Sequence, residues 1–152
     1  MIALLQRVSS ASVHVSGQLL AQIDRGLLVL VGVEPLDDEA TAERLLERLL
    51  AYRVFADPEG RMNRSLADIK GGLLLVPQFT LAADTRKGNR PGFSTAAAPT
   101  KAQALFDALY QRALKMYPAT QRGRFGADMQ VALVNDGPVT FWLQVPTMPV
   151  RP

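Results

Sequence analysis

The pattern of apolar and polar positions predicts a chain made mainly of β-strands. Residues 1–8, 11–15 and 18–23 have the pattern of short strands, with Gly17 as the turn between the last two. The run GLLVLVGV, residues 26–33, is continuously apolar over the length of one strand. A run of that kind is typical of a central strand that is buried on both faces.

Two stretches have the period of an α-helix instead. Asp37 or Asp38 can cap a first helix, predicted within residues 37–52. The apolar residues that recur there at helical spacing are Leu45, Leu46, Leu49 and Leu50. Thr100 can cap a second helix, which we expect to end near Pro118.

Further strand patterns complete the expected sheet, at residues 52–57, 73–81, 127–134 and 139–145. Residues 82–94 show no periodicity and are predicted to form a loop. Strands with two helices inserted among them predict an α/β fold: a single domain, residues 1–146, with a curved, barrel-like mixed β-sheet and two main helices packed on it. Residues 147–152 are rich in proline, which cannot extend a sheet, so a C-terminal tail is expected.

The composition narrows the possible chemistry. A length of 152 residues suits one domain, and no apolar stretch has the length of a membrane span, so no membrane association is expected. The absence of cysteine excludes disulfides and thiol catalysis and fits a cytoplasmic protein. His14 is the only histidine, and its alternating stretch SVHVSG favours a strand residue over a triad member or a metal ligand. The net charge of +3 permits an RNA partner without demonstrating one.

Pro77 interrupts the apolar pattern of VPQFTLAAD, residues 76–84. Proline has no N–H to donate to a sheet, so the strand must end, bulge or lie at an edge here. Gln78 and Thr80 then lie where a strand opens into a loop, and the backbone N–H groups freed at that point can face a ligand. An ordinary strand end is the alternative.

Three cations, Arg86, Lys87 and Arg90, cluster in the predicted loop. Lysine and arginine supply the affinity of proteins for nucleic-acid phosphates, so the cluster is a candidate phosphate contact. A solvated surface loop explains the same charges, and the residues alone leave both interpretations open.

The stretch NDGP, residues 135–138, separates the last two strand patterns and is predicted to connect them. Asp-Gly is a hairpin signal, but Pro138 directly after Gly137 does not fit a two-residue turn. One interpretation is a turn with a rigid exit, and the other is a backbone presented in a fixed, unusual shape. An active site in this chain must be built mostly from main chain and small polar groups.

Two motifs in a fixed order, QFTL at 78–81 and NDGPVT at 135–140, are the most specific features of the sequence. The stretches that accompany them are QRVSSASVHVSG (6–17), GLLVLVGVE (26–34), MNRSL (62–66), QFTLAADTRKGNRP (78–91) and GRFGADMQVALVNDGPVTFWL (123–143). With these stretches the chain resembles the D-aminoacyl-tRNA deacylases over nearly its full length.

The resemblance implies a cytoplasmic, homodimeric hydrolase that needs no metal or cofactor. It implies a substrate of tRNA charged with a D-amino acid or glycine, cleaved at the ester. In the family the Gly-Pro bond is cis, and each subunit inserts this loop into the active site of its partner. Gly137 and Pro138 would then form a main-chain wall. An L side chain would collide with that wall, whereas a D side chain would point outward and glycine would pass.

Other roles carry over from the resemblance position by position. Gln78, Phe79 and Thr80 would be the catalytic segment, with the N–H groups of Phe79 and Thr80 holding the substrate and stabilising the oxyanion. Phe125 and Met129 would lie near the terminal adenosine. Water assisted by the ribose 2′-OH is the expected nucleophile, because no base that would activate Thr80 is identifiable in the sequence.

Arg7 matches an arginine that braces the Gly-Pro loop in the family. It shares a predicted strand face with Ala3 and Leu5, and a charge on that face needs a partner. A strand-end charge that reaches solvent is the alternative. With an RNA substrate, Arg86, Lys87 and Arg90 become candidate tRNA contacts.

One position departs from the family pattern, because Pro77 stands where the pattern usually has a serine before the glutamine. A related animal deacylase with Pro-Gln at this place has a looser chiral site. One alternative is therefore an enzyme of relaxed chirality that also removes L-Ala. The residues around Gly-Pro have the usual form here and favour the D-specific interpretation. A non-catalytic RNA-binding module that uses the basic cluster is the other alternative.

Overall fold

The structure is a computed structural model that describes residues 1–147. Its strands are β1 (Ile2–Val15), β2 (Gln18–Ile23), β3 (Gly26–Gly32), β4 (Phe55–Ala56), β5 (Met62–Arg64), β6 (Gly72–Pro77), β7 (Thr120–Arg122) and β8 (Met129–Gln144). Its helices are α1 (Glu39–Ala51), α2 (Leu66–Ile69), α3 (Pro99–Met116) and a 3-10 helix (Phe79–Ala82).

The long strand β1 organises a six-stranded mixed sheet in the order β2-β1-β3-β6-β7, with β8 also paired to β1. The pairs that β1 makes are antiparallel, whereas β3, β6 and β7 run parallel. The backbone N–H of Arg124, just after β7, lies 3.3 Å from the sulfur of Met129 at the start of β8. The sheet therefore curves until its ends approach each other, and the predicted fold class is confirmed.

The central strands β3 and β6 are buried on both faces, as their continuous apolar sequences predict. Leu27, Val29 and Val31 face α1 and α3 with Leu73 and Leu75. The side chains of β3 and β6 that point to the other face belong to a second buried cluster. The members of that cluster are Val8, Ala11, Val13, Ala21, Ile23, Leu28, Leu74 and Val76. This double burial fixes where β6 ends, and therefore where the QFTL segment begins.

The two main helices begin differently from each other. At α1, the Asp38 side chain accepts a hydrogen bond from the N–H of Thr41 at 2.8 Å, so Asp38 is the cap rather than Asp37. The second predicted helix begins at Pro99 after Ala98, and Thr100 does not cap it. Proline is favoured at the first helical position because its fixed φ suits the helix and its missing N–H would have no partner there.

Two predicted strand breaks are wrong. Residues 1–8 and 11–15 form one strand, β1, and the last two predicted strands form one strand, β8. Asn135 pairs with Val8 and Thr140 pairs with Gln6, so the stretch between Asn135 and Thr140 is a bulge on β8 instead of a connection. The physical reason is that β1 is long enough to pair with β8 on both sides of Gly-Pro. Residues 136–139 are called the Gly-Pro loop below.

Most of the predicted tail, residues 148–152, lies outside the described residues, so the domain boundary at residue 146 stays a prediction. Between residues 1 and 147, no helix has the length and apolar character needed to cross a membrane.

Candidate active site

The QFTL segment lies at the carboxyl end of β6. Pro77 is the last residue of the strand, and the N–H of Gln78 donates to the carbonyl of Val31 at 2.8 Å. The chain then turns into the 3-10 helix, which packs closely on Gly32. A Cβ atom at Gly32 would lie 3.0 Å from the Cβ of Leu81 and 3.3 Å from the Gln78 carbonyl. A glycine at the end of β3 therefore allows this turn to sit against the sheet.

Two backbone donors are left free at this turn. Within residues 1–147, the N–H groups of Phe79 and Thr80 make no hydrogen bond, because the pairing of β6 has ended and the 3-10 helix has not closed its first turn. Both residues are exposed. The arrangement can therefore hold a carbonyl oxygen or an oxyanion from outside the chain.

A pocket of about 440 Å³ opens beside this turn. It brings together four residues predicted at the site, Gln78, Phe79, Phe125 and Met129. The remaining lining residues are Val76, Pro77, Ala97, Pro99, Ala102, Gly126, Ala127 and Val131. We call it the main pocket. Its size and mostly apolar lining suit a nucleoside carrying a small acyl group.

The helix side of this pocket was not among the predicted site residues. Ala97, Pro99 and Ala102 come from the start of α3 and the residue before its cap. The signal that predicts them is the small-residue stretch TAAAP, because small side chains before a helix leave room for a ligand. His14, by contrast, pairs with Gln130 within the sheet and does not line the main pocket.

Thr80 lies on a neighbouring, more open pocket of about 820 Å³. Its hydroxyl accepts a hydrogen bond from the side-chain amide of Gln78. An amide donor cannot remove a proton from a hydroxyl, so this contact does not activate Thr80 as a nucleophile.

The two carboxylates on that neighbouring pocket are already engaged. Glu34 accepts from the Met1 ammonium at 2.9 Å and from Gln144 at 3.0 Å. Asp84 accepts two side-chain hydrogen bonds from Arg86, at 2.9 and 2.7 Å. The Arg86 side chain, together with the Arg86 N–H, holds the pKa of Asp84 well below its usual range, which makes Asp84 a poor base.

Arg7 holds the Gly-Pro loop from β1. Its Nε donates to the carbonyl of Asp136 at 3.0 Å, and its guanidinium also donates to the carbonyl of Val54 at 2.8 Å. The side chain is only 15% exposed, so it does not reach freely into solvent. Gly137 follows with φ of +135°, and its bond to Pro138 is cis.

Asn135 ties the two ends of the Gly-Pro loop together. Its side-chain amide donates to the carbonyl of Arg7 at 3.0 Å and to the carbonyl of Val139 at 3.1 Å. Its oxygen accepts from the hydroxyl of Thr140 at 3.3 Å. The loop is therefore fixed at both ends while Gly137 and Pro138 remain exposed.

The Gly-Pro loop and the main pocket are separate within one chain. Arg7 pairs with Leu27 on β3, whereas Gln78 bonds to Val31 farther along the same strand. Four residues of strand correspond to about 13 Å along the strand axis. In addition, β6 lies two strands away from β1. One copy of the chain does not place Gly137 and Pro138 over its own Gln78.

The three predicted cations lie on a loop closed by a bridge between Asp84 and Gly92, whose reciprocal hydrogen bonds measure 2.7 and 3.0 Å. Residues 84–94 are called the basic loop below. Arg86, Lys87 and Arg90 line a pocket of about 460 Å³ on it. The structure does not bring these cations into the main pocket.

The sequence profile of the D-Tyr-tRNA(Tyr) deacylase family matches residues 4–144. A Pseudomonas aeruginosa (strain LESB58) protein named D-aminoacyl-tRNA deacylase is 62% identical over 144 residues, covering 95% of this chain and 99% of that protein. One from Ectopseudomonas mendocina (strain ymp), with the same name, is 61% identical over 142 residues, covering 93% and 98%.

Two solved structures share the fold of this chain. That of the c-Myc DNA unwinding element binding protein superposes with a TM-score of 0.92 at 37% identity, covering 97% of this chain and 100% of that one. A structure described as a probable eukaryotic D-amino acid tRNA deacylase gives 0.81 at 18% identity, covering 93% and 97%, and supports the fold alone. Because the profile spans nearly all of the described residues and the relatives match end to end, the chain belongs to the D-Tyr-tRNA(Tyr) deacylase family.

Proposed function

We propose that this chain hydrolyses the ester of D-aminoacyl-tRNA in the cytoplasm. The observation that carries the proposal is the main pocket, an apolar cavity of nucleoside size beside the turn that leaves the N–H groups of Phe79 and Thr80 free. Membership of the family and the names of its close relatives support the same activity. The terminal adenosine would lie against Phe125 and Met129, and the ester carbonyl would lie at Phe79 and Thr80.

The reaction needs only a water molecule as co-reactant. Water attacks the ester carbonyl carbon, and the carbonyl oxygen becomes an oxyanion that accepts hydrogen bonds from the N–H groups of Phe79 and Thr80. The bond from that carbon to the ribose 3′ oxygen then breaks. A proton passes by way of the ribose 2′-OH to the leaving oxygen, so the products are a free amino acid and tRNA. Thr80 binds substrate and forms no acyl-enzyme, since its hydroxyl has no base.

Chiral selection is assigned to the Gly-Pro loop. Arg7 and Asn135 hold the loop at several points, so it resists displacement by a substrate side chain. A rigid main-chain wall at Gly137 and Pro138 would exclude an L side chain and tolerate any D side chain. Glycine has no side chain to exclude, so glycine on other tRNAs would be a second substrate.

A second copy of the chain would supply the wall, since one copy keeps the loop and the main pocket apart. The loop is flanked on β8 by exposed apolar side chains, Leu133 and Val134 on one side and Trp142 on the other. An exposed apolar strand is typical of an interface. A two-fold dimer would bury this face and exchange the loops reciprocally.

Deacylation of D-Tyr-tRNA and L-Tyr-tRNA by the purified chain tests the activity. Rapid release of D-Tyr with L-Tyr-tRNA left intact is the expected result. Release of both, or of L-Ala from its tRNA, would favour the enzyme of relaxed chirality. Binding of the tRNAs without release of either amino acid would favour a non-catalytic nucleic-acid-binding module, the class to which the name of one solved relative points.

Mixing two variants tests the shared site. At Gly137, an added Cβ atom would lie 2.6 Å from Cγ2 of Val139, and φ is +135°, so Gly137→Ala should distort the wall and admit L-Tyr-tRNA. Gly32→Ala, whose Cβ would press on Leu81 and the Gln78 carbonyl, should impair its own pocket but keep an intact loop. After co-refolding, excess Gly32→Ala chain should suppress L-Tyr release by the Gly137→Ala chain and preserve D-Tyr release. Unchanged L-Tyr release would show that each chain uses its own loop.

A further inference from the structure

We propose that an exposed aromatic pair and the basic loop form a binding surface for the single-stranded nucleotides that precede the terminal adenosine of tRNA. The surface, called the platform here, consists of Phe79, Phe93, Arg86, Lys87 and Arg90. It rests on the proposed function, because that function places the terminal adenosine in the adjoining main pocket. It extends the site from one nucleoside to the 3′ strand of the substrate.

The aromatic half of the platform is the pair Phe79 and Phe93. Their ring centroids lie 5.1 Å apart with the planes inclined at 51°. Phe79 is 55% exposed and Phe93 is 45% exposed, so the pair presents apolar surface to solvent instead of filling the core. Exposed aromatic rings beside cations are the arrangement on which proteins stack unpaired bases.

The basic half has a net positive charge in spite of its aspartate. The Arg86 guanidinium is paired to Asp84, and this pair neutralises the carboxylate while fixing the loop near its start. Lys87 and Arg90 are exposed and make no ion pair within residues 1–147. Two cations therefore remain to meet the phosphate groups of a strand.

The two halves are continuous with the main pocket. Phe79 lines the main pocket and contacts Phe93. The neighbours of Phe93 in sequence, Gly92 and Ser94, line the pocket on the basic loop together with its three cations. A strand whose last nucleoside enters the main pocket would thus pass over the aromatic pair and reach Lys87 and Arg90 with its preceding phosphates. The apolar pocket, the aromatic rings and the cations follow one another in that order along the surface. This order fits a nucleic-acid strand better than an acidic peptide, because a peptide offers no bases to stack.

Two substrates separate the platform from the main pocket: D-Tyr-tRNA and the minimal ester 3′-O-(D-tyrosyl)adenosine, which has no preceding nucleotide. The variants are Phe93→Ala and the double variant Lys87→Ser/Arg90→Ser. We expect each variant to raise KM for D-Tyr-tRNA by about tenfold. The fold-increase in KM for D-Tyr-tRNA should be at least about five times the fold-increase in KM for the minimal ester. The double variant should also lower the slope of log KM against log salt by roughly 1.4, since each single-strand phosphate contact contributes about 0.7.

Matched variants control for general effects. Phe93→Tyr keeps the ring and should restore a KM near that of the natural chain. Arg61→Ser/Lys115→Ser removes two exposed cations outside the platform, and should leave both KM and salt slope unchanged.

Equal changes on both substrates, or no change on D-Tyr-tRNA, would overturn the platform while leaving the deacylase activity standing. If the natural chain releases no D-Tyr, the proposed function fails first. Direct binding of uncharged tRNA by the same variants then decides the platform: unchanged binding would overturn it too.

Discussion

Arg7 joins two distant parts of the chain through one guanidinium: it donates to the Asp136 carbonyl in the Gly-Pro loop and to the Val54 carbonyl after α1. Lysine has one ammonium and cannot reproduce this fork. We expect Arg7→Lys to lower the ratio of D- to L-Tyr-tRNA hydrolysis by about tenfold, equivalent to ~1.4 kcal/mol, because the wall loses its brace. Initial rates on both substrates give the ratio.

The control for Arg7 is Arg53→Lys, at an exposed arginine next to Val54. It should keep the natural ratio. An unchanged ratio in Arg7→Lys, accompanied by a lower melting temperature, would mean that Arg7 serves stability alone.

Thr80→Ala should retain D-Tyr-tRNA hydrolysis within about tenfold of the natural chain, because the variant keeps the backbone N–H and loses only a hydroxyl bonded to Gln78. Single-turnover rates with excess enzyme would measure this step directly. Near-complete loss of turnover, together with an acyl group trapped on Thr80 in the natural chain, would assign the nucleophile to Thr80 instead.

Gly32→Ala should lower kcat and change KM less. Its Cβ would press on Leu81 and the Gln78 carbonyl, and so would move the free N–H groups of Phe79 and Thr80. A displacement of this kind acts on transition-state contacts. Gly71→Ala is the matched control, because its Cβ would lie 2.9 Å from the Arg25 carbonyl, away from the main pocket. Both variants should have a lower melting temperature than the natural chain. Only Gly32→Ala should have a lower kcat when the rate is divided by the concentration of folded chain.

The Asp84–Arg86 pair should protect the basic loop from trypsin, which cleaves after arginine and lysine. The pKa of Asp84 is lowered, and the largest cause is the hydrogen bonding from the Arg86 side chain. The contribution of the pair to loop order is therefore present above the ordinary carboxyl pKa of about 4 and is lost as pH falls through the lower folded value. At pH 8, Asp84→Asn should speed cleavage after Arg86 and Lys87 several-fold. Asp107→Asn, which removes the partner of Arg122 elsewhere, should not.

The sequence predicts best where a pattern is local. The apolar runs of β3 and β6 and the helical spacing of α1 indicate the core directly. The bulge at Gly137 is not local: its form depends on β1 continuing past Val8 as a partner for both halves of β8. The pairing of Phe79 with Phe93 likewise depends on how the loop folds back, which no periodicity encodes.

Pro77 is the departure from the expected family pattern that bears most directly on the site. It ends β6, pairs in register with Val31 and lines the main pocket, so it fixes the exit of the strand that presents Gln78. A serine would add a hydroxyl and an N–H at this exit. These groups would matter for chirality only if they positioned the Gly-Pro wall, and within one chain that wall is braced by Arg7 and Asn135 instead.

We therefore expect Pro77→Ser to change the D-Tyr-tRNA rate by less than about tenfold, ~1.4 kcal/mol, and to leave L-Ala-tRNA uncleaved. Parallel assays of both chains on D-Tyr-tRNA and L-Ala-tRNA decide the matter. Cleavage of L-Ala-tRNA by the natural chain, abolished by the serine, would show that Pro77 relaxes the chiral selection.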